Sequence, residues 1–126
     1  MEQNMDIKIS GVDEKSGLDL CDGDLKIYIR FLRLYISNMP TALDKIRSVS
    51  EETLKDYTVA VHGIKGLSQT IGAEEARSKA KHLEEMGKGG NLAGILAENT
   101  AFITYAEKLI DGIRTWLEKH DALLPD

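Results

Sequence analysis

The 126-residue chain predicts an all-α protein: an antiparallel up-and-down four-helix bundle with a short extra N-terminal helix. Three observations carry the prediction. Apolar residues recur at helical spacing along almost the whole chain, and few stretches alternate with a strand period. Prolines are confined to Pro40 and Pro125, so long stretches run without a breaker. Glycine and asparagine gather between the periodic segments, most plainly in Gly87-Lys88-Gly89-Gly90-Asn91. With 42% hydrophobic and 29% charged residues, residues 1–126 suit one soluble domain, its core at about 17–120 between polar tails. No internal repeat, low-complexity tract or domain boundary divides it.

Each element has its own signal. A short helix is expected from Asp13 to about Cys21. Asp22-Gly23-Asp24 is a turn, with Asp22 or Asp24 as N-cap of the next helix. There Leu25, Tyr28, Ile29, Leu32, Tyr35 and Ile36 form an apolar stripe that Phe31 and Leu34 widen. Pro40 is expected to break or kink this helix near Asn38-Met39, the pattern resuming with Leu43, Ile46 and Val49. Ser50 is the expected N-cap of a helix that starts there or near Lys55, ends at Thr70 and is closed by Gly72. A helix from Ala73 to about Met86 would face inward with Ala73, Ala76, Ala80 and Leu83, and outward with Arg77, Lys81, Glu84 and Lys88 as a charged stripe. The last helix spans about Leu92 to His120, with Leu96, Ile103, Ala106, Ile110, Ile113 and Leu117 on its inner side, before a frayed tail from Asp121 to Asp126.

Composition narrows the function. The formal charge is −5 and the basic residues form no block, which argues against a nucleic-acid surface. No apolar run nears the roughly 18 residues that span a bilayer, and Met1-Glu2-Gln3-Asn4-Met5-Asp6 lacks the features of a signal peptide. A single cysteine, Cys21, fits a reducing cytoplasm, and acidic Asp19, Asp22 and Asp24 disfavour its thiolate.

The most informative stretch is His62-Gly63-Ile64-Lys65-Gly66-Leu67-Ser68-Gln69-Thr70-Ile71-Gly72-Ala73. At about 100° per residue, Tyr57, Ala60, Ile64, Leu67 and Ile71 share one face, with Val61 and Ser68 at its margin. Thr58, His62, Lys65, Gly66 and Gln69 share the other. The imidazole therefore points away from the core, with a lysine beside it and a glycine one turn on. Gly63 and Gly66 should each cost about 1 kcal/mol against alanine in a helix. Clearance over the ring is a reason for Gly66; Gly63 has none of its own.

Three chemistries are open to that histidine. A bundle metal site wants Glu-x-x-His pairs, and neither these nor His-x-x-x-His occur. Conventional catalysis wants a pocket, a nucleophile elbow or a phosphate loop, and the sequence offers no such motif. The remaining chemistry is nucleophilic attack by the imidazole on phosphorus. One ring nitrogen attacks while the other keeps its proton against an acceptor, for which Glu84 is the candidate. Lys65 would neutralise the phosphoryl charge.

The residues from His62 to Gly66, with Ser68 and then Ile71-Gly72-Ala73, resemble the signature of histidine-containing phosphotransfer (HPt) domains, His-x-(Ile/Leu)-Lys-Gly followed by small residues and a hydrophobic-Gly pair. Asp22-Gly23-Asp24 with Tyr28, Phe31 and Leu32 is similar to the family's entry into its first bundle helix, and Glu84 stands where the family often has Gln or Glu. The resemblance covers about Gly17 to Leu117. It implies a cytoplasmic, monomeric phosphocarrier without a cofactor of its own, the Mg²⁺ lying on the partner. Its partners would be receiver domains, including those of hybrid histidine kinases, with His62 taking a phosphoryl group from one receiver aspartate and passing it to another. Gly66 would give clearance for docking, and Gln69 would contact the phosphoryl group or the partner. Leu67 departs from the family's usual Ser or Ala and is expected to pack inward. The alternatives are a phosphorylation-independent helical adaptor and the His-bearing domain of a chemotaxis-type kinase.

Overall fold

The computed structural model describes residues 8–120, so the expected fraying of Asp121 to Asp126 lies outside it. Five helices follow one another: α1 (Glu14–Leu20), α2 (Leu25–Asp44), α3 (Leu54–Thr70), α4 (Glu74–Lys88) and α5 (Leu92–Lys119). No strand occurs among the described residues. Helix α3 packs on α4, α4 on α5, and α2 on both α3 and α5, while α1 lies against α2 and α3. The result is a helical bundle with one continuous core.

Local chemistry sets most of the boundaries. The Asp13 carboxylate accepts from the backbone N–H groups of Lys15 and Ser16 and so starts α1. Of the two aspartates considered for α2, Asp24 is the cap, accepting from Ile27 N–H at 3.3 Å. Asp22 instead takes a left-handed turn conformation, φ 55°. Helix α3 ends in a Schellman closure: Gly72 at φ 77° lets its own N–H reach the Gln69 carbonyl and lets Ala73 N–H reach the Ser68 carbonyl. Asn91 caps α5 by accepting from Gly94 N–H at 2.9 Å.

Five expectations need correction. Pro40 does not interrupt α2, which runs unbroken to Asp44. The ring is exposed, while Met39 and Leu43 on either side are wholly buried, so packing holds the helix across the missing hydrogen bond. Ser50 is not the cap of α3. It forms a closed turn with Thr53, each side-chain oxygen accepting from the other's backbone N–H, and the helix begins at Leu54. Gly87 and Lys88 belong to α4 rather than to the following turn. Leu34 and Leu96 are 48% and 58% exposed, outside the stripes assigned to them. Glu84, expected on an outward charged stripe, is buried.

Helix α3 is also turned from the orientation that apolar residues alone suggest. Val61 and Ser68 are fully buried, whereas Ala60 and Leu67 are only partly so. Hydrogen bonds explain the difference. Ser68 Oγ shares one of 3.0 Å with the buried Tyr35 hydroxyl of α2. The Tyr57 hydroxyl donates to Asn99 Oδ1 of α5 at 2.7 Å, and Asn99 Nδ2 donates to the Ile46 carbonyl at 2.7 Å. Buried polar atoms satisfied in this way sit in a core at little cost. Residues that look marginal by apolarity therefore become interior ones.

Candidate functional site

The turn of α3 decides what stands beside His62. The ring side chain remains 64% exposed, yet its Nδ1 lies 2.7 Å from Glu84 Oε2 on α4. The other carboxylate oxygen, Oε1, is 2.7 Å from Lys65 Nζ. Lys88 Nζ, at the last residue of α4, is 3.4 Å from Oε2. One carboxylate, its side chain only 4% exposed, thus receives three nitrogen groups from two helices.

The close approach of α3 and α4 makes this possible. Ala76 and Ala80 are fully buried, letting the backbones come near. At Gly87 an added Cβ would run into the Thr58 hydroxyl, so glycine there is required by the packing of these two helices. Glu84 follows Ala80 by one turn, which aims its side chain along the seam toward His62.

The charge state follows from the partners. Burial alone would push the Glu84 carboxyl up; the close contacts from Lys65 and His62, with the Lys88 ammonium beside them, outweigh it and hold the carboxyl down at about 2. At neutral pH Glu84 is therefore an anion, an acceptor only. The atom facing it, His62 Nδ1, must carry the ring proton. The ring's lone pair is then on Nε2, which has no hydrogen-bond partner among the described residues.

The remaining sequence-derived residues are placed as follows. Lys65 is turned to Glu84 and its side chain is 24% exposed. Gly66 is exposed, and a Cβ built on it would meet nothing within 4 Å; the same holds for Gly63. Neither glycine is required by packing within this chain. Gln69 is exposed and has no hydrogen bond to His62; with Leu20, Phe31, Gly66 and Thr70 it lines a shallow depression. Leu67 is partly buried against the core.

His62 and Glu84 meet as ring and acceptor, as expected from the sequence, but the carboxylate is buried rather than on an outward stripe. Arg77, Lys81 and Lys88 do not form one solvated stripe: Arg77 pairs with Glu74, while Lys88 joins the histidine cluster. The one signal for Lys88 was its position one turn after Glu84. Cys21 is buried, and burial together with Asp24 and Asp22 pushes its thiol up, away from a nucleophilic thiolate. No group of three or more metal-ligating side chains forms among the described residues.

The model of the Hpt domain family matches residues 30–116. The match begins inside α2 and leaves α1 outside it, a shorter span than the Gly17 to Leu117 expected from the sequence. No curated protein and no solved structure matches the chain.

Proposed function

The chain belongs to the Hpt domain family, and from that membership and the His62–Glu84 geometry we propose a stoichiometric phosphocarrier acting through His62. Phosphotransfer in two-component signalling is the role the family carries. The finer reading is that His62 Nε2 accepts a phosphoryl group from an aspartate of one receiver domain and delivers it to an aspartate of another. The single observation that supports it most is the 2.7 Å contact between His62 Nδ1 and an ionised Glu84, on a ring that is largely exposed.

The chemistry runs as follows. The Nε2 lone pair attacks the phosphorus of an aspartyl phosphate. The P–N bond forms as the P–O bond breaks, and the aspartate departs as a carboxylate. The ring keeps its Nδ1 proton and gains a positive charge, which Glu84 stabilises. Onward transfer reverses these steps at a second aspartate. Positioning supplies most of the help in such a transfer, and Glu84 fixes the ring's tautomer and tilt. Lys65 keeps Glu84 ionised and adds positive charge near the incoming phosphoryl group. The Mg²⁺ that assists phosphoryl chemistry at a receiver aspartate belongs to the receiver in this reading, and the carrier needs no cofactor.

Gly66 and Gly63 leave the surface around His62 low, so that a receiver can bring its aspartate to Nε2, and Gln69 borders the same approach. We read the four longer helices as an antiparallel up-and-down bundle within one domain, because the connections are short and sequence neighbours pack on one another. We also read the carrier as a monomer working in the cytoplasm, where receiver domains are its partners. No helix of the described residues is long and apolar enough to cross a membrane.

The test is transfer from a receiver domain phosphorylated on aspartate. Acid-labile, base-stable label should pass to the protein and not to His62→Gln. Equal labelling of both would remove His62 from the reaction.

A further inference from the structure

Lys88 is the loosest of the three donors around Glu84. His62 Nδ1 and Lys65 Nζ each lie 2.7 Å from a different oxygen of the carboxylate, so both oxygens are satisfied without Lys88. Lys88 Nζ stands at 3.4 Å, beyond usual hydrogen-bond length. Its side chain is 68% exposed, against 24% for Lys65. It approaches Oε2, the same oxygen that holds the ring, so ammonium and imidazole flank one atom. Lys65 is on the far oxygen and largely covered. Of the two lysines, Lys88 is the more exposed and the farther from the carboxylate, and so the one with room to move.

The charge count points the same way. With the ring neutral, the cluster of Glu84, Lys65 and Lys88 carries one positive charge in excess. A phosphoryl group on nitrogen brings about two negative charges, and the ring that bears it, still protonated at Nδ1, brings one positive. The phosphorylated cluster is then close to neutral. Space is available as well: Lys88 ends α4, and Gly89 and Gly90 follow it, with nothing within 4 Å of a Cβ built on Gly90.

We propose that Lys88 is the cation that binds the phosphoryl group on His62, leaving Glu84 as it does so, while Lys65 stays on Glu84. This rests on the phosphocarrier reading and reassigns the phosphoryl counter-charge from Lys65 to the last residue of α4. Glu84 keeps its two shorter contacts after the move.

The experiment phosphorylates the full chain with phosphoramidate and follows the phosphohistidine by ³¹P NMR across pH. Wild type, Lys88→Gln, Lys88→Arg and Lys65→Gln are compared. A cation on the phosphoryl group lowers the pH at which it takes up a proton. Lys88→Gln should therefore raise that midpoint by about half a unit, roughly threefold in the equilibrium. Lys88→Arg should restore it, and Lys65→Gln should move it less than Lys88→Gln. Coincident midpoints for wild type and Lys88→Gln, or a larger shift in Lys65→Gln, would overturn the assignment. A wild-type chain that takes no phosphoryl group on His62 would overturn the carrier reading and this one together. A chain that takes it with an unmoved midpoint overturns only the role of Lys88.

Discussion

Glu84 is the residue on which the site turns. Its carboxyl is held at about 2 in the fold, against an ordinary 4.5. The sign of the consequence is fixed by that depression. The associated stability is fully present above pH 4.5 and is lost as pH falls from there toward 2. At neutral pH it amounts to up to about 3 kcal/mol. Glu84→Gln keeps an acceptor oxygen and loses the charge. The stability gap between wild type and Glu84→Gln, measured by urea unfolding, should be narrower at pH 3 than at pH 5. A gap that stays the same at pH 3 would mean that the carboxylate is not held by its three partners. At this scale the exposure of His62 was plain from its face of the helix. The burial of Glu84 was not plain, because a carboxylate four residues from Lys88 and three from Lys81 looks like any solvated stripe until a second helix is laid against it.

At the scale of the element, α3 carries two kinds of glycine. Gly72 at φ 77° closes the helix, and a Cβ there would run into the Asp13 carbonyl. Asp13 N–H in turn donates to the Gly72 carbonyl at 2.8 Å, tying α1 to the end of α3. Gly63 and Gly66 meet nothing. The two kinds should answer substitution oppositely. Gly72→Ala should destabilise by more than about 1 kcal/mol, from the left-handed conformation alone. Gly66→Ala should stabilise by about 1 kcal/mol through helix propensity. Gly66→Leu should fold equally well and still fail to accept label from a phosphorylated receiver. Unfolding curves and transfer assays on the three variants check this, and a destabilised Gly66→Ala would show an internal need for glycine that the packing does not reveal. The existence and order of all five helices were legible in apolar spacing and glycine breaks. The continuity of α2 through Pro40 was not, since the outcome depends on whether Met39 and Leu43 find a core on both sides of the ring. Nor was the start of α3 legible: Ser50 and Thr53 can satisfy each other as a turn or cap a helix, and the residues between them do not decide which.

Across the whole molecule, buried hydrogen bonds between helices fix how α3 is turned about its axis. Ser68 to Tyr35 joins it to α2, Tyr57 through Asn99 joins it to α5, and the Tyr28 hydroxyl donates to the Ile71 carbonyl at its end. Apolarity alone set Val61 and Ser68 at the margin. The polar ties bring both inside, and that turn sets His62 against Glu84 while leaving the ring exposed. A side chain placed by helices rather than loops is held to a narrow range of positions. The bundle thus engages one ring nitrogen, Nδ1, and leaves the ring that bears the other largely exposed.

On the proposed mechanism, that division makes Nε2 the atom that carries the phosphoryl group. The most direct measurement is ¹⁵N and ³¹P NMR of the protein labelled in its histidines, before and after transfer from a phosphorylated receiver. A ³¹P coupling at Nε2 of His62, with the proton remaining on Nδ1, is the result expected. Phosphorylation at Nδ1, or on His82, His120 or another side chain, would contradict the mechanism built on Glu84.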